Sequence, residues 1–175
     1  MKLLIVSDLH GSLPATETVL HYFEREKCDL LCLLGDLLNY GPRNGLPEGL
    51  NPQAVANLLN AHAEHIIAIR GNCDSEVDQM LLNFPMMADY ALLADGAKRI
   101  FLTHGHVYNE ENMPALQGID AFFYGHTHLA KLTPKQSNQP LICNTGSPTF
   151  PKGGNSPTFA VWENGEVQLI DINHL

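Results

Sequence analysis

Short apolar runs recur along the chain at residues 3–6, 30–34, 66–69, 100–102 and 121–124, none longer than five residues. Each is closed by glycine or by polar residues, which predicts buried strands rather than helices. Between the first two runs, Val19, Leu20 and Phe23 have helical spacing within residues 14–27, with Ser12 as the cap. Asn51 and Pro52 open a second helix as cap and first residue, and Ala54, Val55, Leu58 and Leu59 form its apolar face. Residues 75–82 predict a third, shorter helix. This alternation favours a parallel sheet in the first half. The second half differs: residues 141–143, 158–162 and 166–170 read as strands with no helix between them. Asn164-Gly165 joins the last two as a hairpin turn. The expected chain is therefore a parallel portion followed by an antiparallel one, with residues 41–52, rich in Gly, Pro and Asn, as a surface loop.

Polar residues of one chemical kind follow the five runs: Asp8-Leu9-His10, Gly35-Asp36, Gly71-Asn72-Cys73-Asp74, His104-Gly105-His106 and Gly125-His126-Thr127-His128. Singly these are weak signals. An Asp or Asn after Gly at a strand end is often a turn former or helix cap, and Asp-x-His is common. Asp8 and His10 would project to one side of an extended segment. Together they place five of the nine histidines beside carboxylates and an Asn amide at the ends of successive strands. That is where α/β proteins hold their ligands, and such donors suit a divalent cation. His21, His62, His65 and His174 lack that context and read as surface or helix residues.

Composition sets the outer bounds. The chain of 175 residues is long enough for one domain, residues 1–175, with its own core. No apolar run approaches the ~20 residues that cross a bilayer. Residues 3–6 are too short for a signal-peptide core, so the expected location is cytoplasmic, with no membrane partner. Cys28, Cys32, Cys73 and Cys143 form no C-x-x-C pair and fit reduced thiols. The formal net charge of -9 argues against non-specific binding to nucleic acid, which needs Lys and Arg to neutralise phosphates.

In this order, D-x-H, G-D, G-N-x-D, H-G-H and G-H-x-H resemble the calcineurin-like metallophosphoesterases, over residues 1 to about 154. The segments Asn39-Tyr40-Gly41-Pro42-Arg43-Asn44, residues 70–78 and Pro151-Lys152-Gly153-Gly154-Asn155 are similar to the small bacterial phosphodiesterases of the YfcE type. The resemblance implies a four-layer α/β/β/α sandwich with a dinuclear metal centre at the strand ends. One cation would be held by Asp8, His10, Asp36 and His128. The other would be held by Asp36, Asn72, His104 and His126, with Asp36 shared. It implies two divalent ions, manganese first, with iron, cobalt, nickel and zinc as alternatives. It also implies in-line attack of a metal-bridging hydroxide on a small phosphodiester.

Much of the wider superfamily has His directly after the Asn of the G-N motif. Here Cys73 stands there, a change that the YfcE-like branch shares. The general acid is then left open. His106 either faces the substrate or orients a ligand, and Asp74 either orients a ligand or caps the third helix. Asn39 and Arg43 are expected near the substrate. The functional expectation is a phosphodiesterase. A phosphomonoesterase of the same fold is the alternative within the class. A non-catalytic scaffold resembling the small retromer subunit, or a metal-binding regulatory module, is the alternative outside it. A homo-oligomer is left open.

Overall fold

The strand runs pair into two sheets that stack on each other. The computed structural model describes residues 1–115 and 117–175. The first sheet contains β1 (Lys2–Val6), β2 (Leu30–Leu33), β3 (Ile66–Ala68), and, from the end of the chain, β9 (Thr158–Glu163) and β10 (Glu166–Asp171). Its order is β10-β9-β1-β2-β3. The second contains β4 (Tyr90–Asp95), β5 (Lys98–Thr103), β6 (Ala121–Tyr124), β7 (Lys131–Thr133) and β8 (Leu141–Asn144), in the order β4-β5-β6-β8-β7.

Alternation along β1 explains the stacking. Leu4 and Val6 face a cluster with Val19, Leu20 and Phe23 of α1 (Leu13–Arg25) and Val55, Ala56 and Leu59 of α2 (Pro52–Ala61). Leu3 and Ile5 face the other way, into a cluster with Ile100, Leu102, Phe123 and Trp162 between the sheets. Both faces are covered, so the strand is apolar throughout. Ser12 and Asn51 cap α1 and α2 by accepting from Ala15 N–H and Ala54 N–H. The third helix, α3 (Glu76–Leu81), opens on a capping box: the Ser75 N–H donates to Asp78 Oδ2 at 2.8 Å.

Three features differ from the sequence reading. The parallel and antiparallel portions are not divided between the two halves. β1, β2 and β3 are parallel with β9 and β10 added antiparallel, and β5, β6 and β8 are parallel with β4 and β7 added antiparallel. Parallel pairing in the second half does not require helical crossovers of the usual length, so missing helices misled the reading. β4 and β7 were not expected: β4 alternates exposure residue by residue, and β7 is a short edge strand with two exposed residues. Finally, the outer face of the second sheet carries Phe101, Phe122, Tyr124 and Ile142, covered by Tyr108, Met113 and Ile119. Among the described residues the segment 105–120 that supplies this cover holds no helix. Asn109 Oδ1 accepts from the N–H groups of Glu111 and Asn112, both at 2.9 Å, and so favours a turn there. The sandwich is thus helical on its first outer face and irregular on its second.

Candidate metal centre

The carboxyl ends of β1, β2, β3, β5 and β6 meet at one edge of the sandwich, and the five predicted clusters meet with them. Asp8 Oδ1 lies 3.4 Å from His10 Nε2 and 3.2 Å from His128 Nε2. Asp36 Oδ2 lies 3.9 Å from His10 Nε2 and 3.6 Å from His104 Nε2. Asn72 Oδ1 is 3.0 Å from His104 Nε2, and the His126 ring sits 5.1 Å from the His104 ring, centre to centre. Asp36 therefore stands between a group of Asp8, His10 and His128 and a group of Asn72 and His104, with His126 beside it. Asp8, His10, Asp36, His104 and His128 are almost wholly removed from solvent.

The backbone at these residues is unusual. Asp8, His10, Asp36, His126 and His128 have φ of 61°, 51°, 54°, 63° and 59°. The expected extended geometry for Asp8 and His10 is thus corrected. Both residues are left-handed, and that conformation, not a strand, brings their side chains to one point. Left-handed backbone at bulky L-residues is strained and persists where the surroundings enforce it. The motif glycines allow that close packing. A Cβ on Gly71 would lie 2.1 Å from Asp36 Oδ1, and one on Gly125 would lie 2.1 Å from Ser7 Oγ.

The imidazoles are fixed in one sense. The Nδ1–H groups of His10, His104 and His128 donate to the carbonyls of Asn39, Leu34 and Phe150 at 2.7, 2.8 and 2.8 Å. Each Nε2 then turns a lone pair toward the site. His10 Nε2 and His128 Nε2 face each other at 3.2 Å, two acceptors with no proton between them. Asp8 Oδ1 is buried and accepts no hydrogen bond, whereas its Oδ2 accepts from His126 N–H at 2.8 Å. Facing lone pairs beside an unpartnered buried carboxylate oxygen are costly unless a cation binds there. The donors fit a divalent metal ion.

The remaining expected residues fall into place around this centre. Asp74 lies beneath it and does not cap α3, which Ser75 does. Its carboxylate accepts from the N–H groups of Asp36, Leu37 and Gly71 at 2.7, 3.0 and 2.7 Å, binding the β2 and β3 ends together. Burial and the nearby charge of Asp36 push its pKa up to about 6, against those three N–H groups. Cys73 donates its backbone N–H to Asp36 Oδ1 at 2.8 Å and lines the cleft above. Burial and the Asp36 charge push its thiol up to about 12, which keeps it a neutral thiol near pH 7. His106 is not among the described lining residues of the cleft: its ring packs against His104 at 5.2 Å and lines a neighbouring pocket together with His126 and Thr127. Burial and then His104 lower its pKa. Asn39 serves His10 through its carbonyl and also lines the cleft, and Arg43 is exposed at the cleft wall.

Sequence reasoning expected residues 148–155 to help shape the pocket but missed Asn144 and Ser147 just before them. Ser147 Oγ donates to the Asp8 carbonyl at 2.9 Å, and Thr149 Oγ1 donates to the Leu9 carbonyl at 2.8 Å. Asn144 Nδ2 donates to the Gly125 carbonyl at 2.9 Å and to Thr127 Oγ1 at 2.8 Å. These bonds hold the two histidine loops in place. The signal was present: Asn144-Thr145-Gly146-Ser147 is a sixth polar cluster after an apolar run, but it contains no metal donor to draw attention.

Residues 1–166 match the family model described as the calcineurin-like phosphoesterase superfamily domain. The chain belongs to this superfamily. As a calcineurin-like phosphoesterase it is a metal-dependent phosphoester hydrolase, and the superfamily implies divalent ions at the centre just described. The chain is 49% identical to phosphodiesterase YfcE of Escherichia coli strain K12 over 173 residues, 99% of this chain and 93% of that one. The solved structure of the Escherichia coli phosphoesterase YfcE superposes with a TM-score of 0.94, at 48% identity, covering 99% of this chain and 94% of that one. Vacuolar protein sorting 29 from Cryptosporidium parvum shares the fold, with a TM-score of 0.65 at 16% identity, covering 97% of this chain and 95% of that one. No helix among the described residues is long and apolar enough to cross a membrane.

Proposed function

We propose that this calcineurin-like phosphoesterase hydrolyses small phosphodiesters with two divalent cations, manganese foremost, held by Asp8, His10, Asp36, Asn72, His104, His126 and His128. The observation that carries the reading is Asp36 Oδ2 within 3.9 Å of His10 Nε2 and 3.6 Å of His104 Nε2, one carboxylate oxygen serving two donor groups. Two cations bound there would stabilise charge on the phosphoryl oxygens and supply a water of lowered pKa. The chain's own part is to hold donors in place before substrate arrives. Backbone carbonyls orient three imidazoles, Cys73 N–H holds the second oxygen of Asp36, and Asp74 clamps the loop carrying it. Such preorganisation is the main protein contribution to phosphoryl transfer.

Support for a diester comes from the likeness to YfcE, a named phosphodiesterase; Cys73 at the cleft bears on the leaving group. A neutral thiol is a weak hydrogen-bond donor, so the site is better suited to leaving groups that need little protonation. The test is hydrolysis of bis(p-nitrophenyl) phosphate against p-nitrophenyl phosphate by manganese-reconstituted protein. The expected result is faster turnover of the diester. A consistent preference for the monoester across metals overturns the reading.

A further inference from the structure

The cleft above the metal centre has a volume of about 560 Å³. That is room for a small molecule, well beyond a single phosphoryl group. Among the described lining residues Asp36 is the one carboxylate, buried and turned to the centre, and none is Phe, Tyr or Trp. Two cations line it, Arg43 and Lys152. They come from different loops, each fixed to the centre. Lys152 N–H donates to the His128 carbonyl at 3.1 Å. The loop of Arg43 packs on Cys73 so closely that a Cβ on Gly41 would lie 2.8 Å from the Cys73 Sγ.

Their charges are not spent inside the protein. Lys2, Arg25, Lys98, Lys131 and Lys135 pair with carboxylates, and of the five other Lys and Arg residues, Lys27, Arg43, Arg70, Arg99 and Lys152, only Arg43 and Lys152 are among the described lining residues of the cleft. Among the described residues no carboxylate pairs with Arg43 or Lys152, in a chain whose net charge is -9. An acidic protein that leaves two cations unpaired in the lining of one cleft presents them to an anion. A phosphate monoester carries about -1.5 to -2 at pH 7, which two cations balance, and Arg meets phosphate oxygens with a planar fork of donors.

Building on the phosphodiesterase reading, we infer that the substrate class is a phosphodiester bearing a second, terminal phosphate, which Arg43 and Lys152 hold while the metal centre takes the scissile phosphorus. Selectivity rests on the remote charge.

The test uses two matched diesters, thymidine 5′-(p-nitrophenyl phosphate) and its 3′-phosphorylated counterpart, with manganese-loaded protein. Both release p-nitrophenol at the same bond and differ only in the remote phosphate. The expected kcat/KM is about tenfold higher for the 3′-phosphorylated compound, chiefly through KM, because charge-assisted contacts form in the ground state as well. The ratio should shrink toward one in Arg43→Gln combined with Lys152→Gln, and as salt shortens the Debye length. A calorimetric arm is independent of turnover: thymidine 3′,5′-bisphosphate should bind the loaded protein about tenfold more tightly than thymidine 5′-phosphate, and the double variant should lose that difference. Equal efficiency on both diesters, with equal binding of the two nucleotides, overturns the inference and leaves the phosphodiesterase reading intact. A preference that survives in the folded double variant overturns the assignment to these residues. Hydrolysis of neither diester overturns both readings.

Discussion

At the scale of single residues, Asp36 joins the two donor groups and Cys73 stands at the cleft. The carboxylate of Asp36 places negative charge between two sites for cations, and its loss should loosen both. Asp36→Asn is expected to retain less than one equivalent of metal after dialysis and to lose turnover by more than a hundredfold, checked by elemental analysis beside kinetics. Cys73 has the opposite profile. Burial and then Asp36 push its thiol up to about 12, whereas a covalent nucleophile would be a thiolate. Cys73→Ala should keep turnover of bis(p-nitrophenyl) phosphate within about tenfold of the parent. Loss of all activity with metal content unchanged would show that the thiol has a larger part. Cys73→His places an imidazole, a better general acid near neutral pH, at the cleft. It should raise rates on diesters with alkoxide leaving groups more than on aryl esters, provided metal content is unchanged.

At the scale of elements, the site is made of strand ends braced by the loop after β8. Ser147 is wholly buried and bonds the Asp8 carbonyl, while its own oxygen accepts from the N–H groups of Thr149 and Phe150 at 3.1 and 2.9 Å. Ser147→Ala leaves these buried groups without partners, which costs about 1–3 kcal/mol. For a domain of this size the melting temperature should fall by about 3–10 °C. Metal affinity should fall with it, since the bond steadies Asp8 and the Phe150 carbonyl steadies His128. Melting curves and a metal titration check both; an unchanged affinity would limit Ser147 to a stabilising role. The strand ends themselves were legible in sequence, because each apolar run was followed by a donor residue and a glycine. The caps Ser12 and Asn51 were legible too, from local chemistry, whereas for α3 the sequence offered Asp74 and the cap is Ser75. What was not legible depends on tertiary contact. β4 is half-exposed and pairs only with β5, the left-handed backbone of Asp8 and His10 is enforced by neighbours, and Ser147 carries no donor for metal. The position of His106, in a pocket beside the cleft with His126 and Thr127, likewise depends on tertiary contact.

At the scale of the whole molecule, two sheets and their covering layers form a rigid frame, and the frame brings distant segments of chain to one point. Asp8 and His128 are 120 positions apart in sequence, yet Asp8 Oδ1 and His128 Nε2 are 3.2 Å apart. A cation bound at such a junction ties the two sheets and should stabilise the fold by mass action, by about 2.7 kcal/mol at a metal concentration one hundred times its dissociation constant. Chelation should therefore lower the melting temperature, and added manganese should restore it. In the proposed centre, side chains from five strand ends hold two divalent cations that share Asp36. Its most direct test is the metal content per chain of manganese-reconstituted protein after removal of free ions, measured by elemental analysis. Two equivalents are expected, and one equivalent or less would contradict the claim.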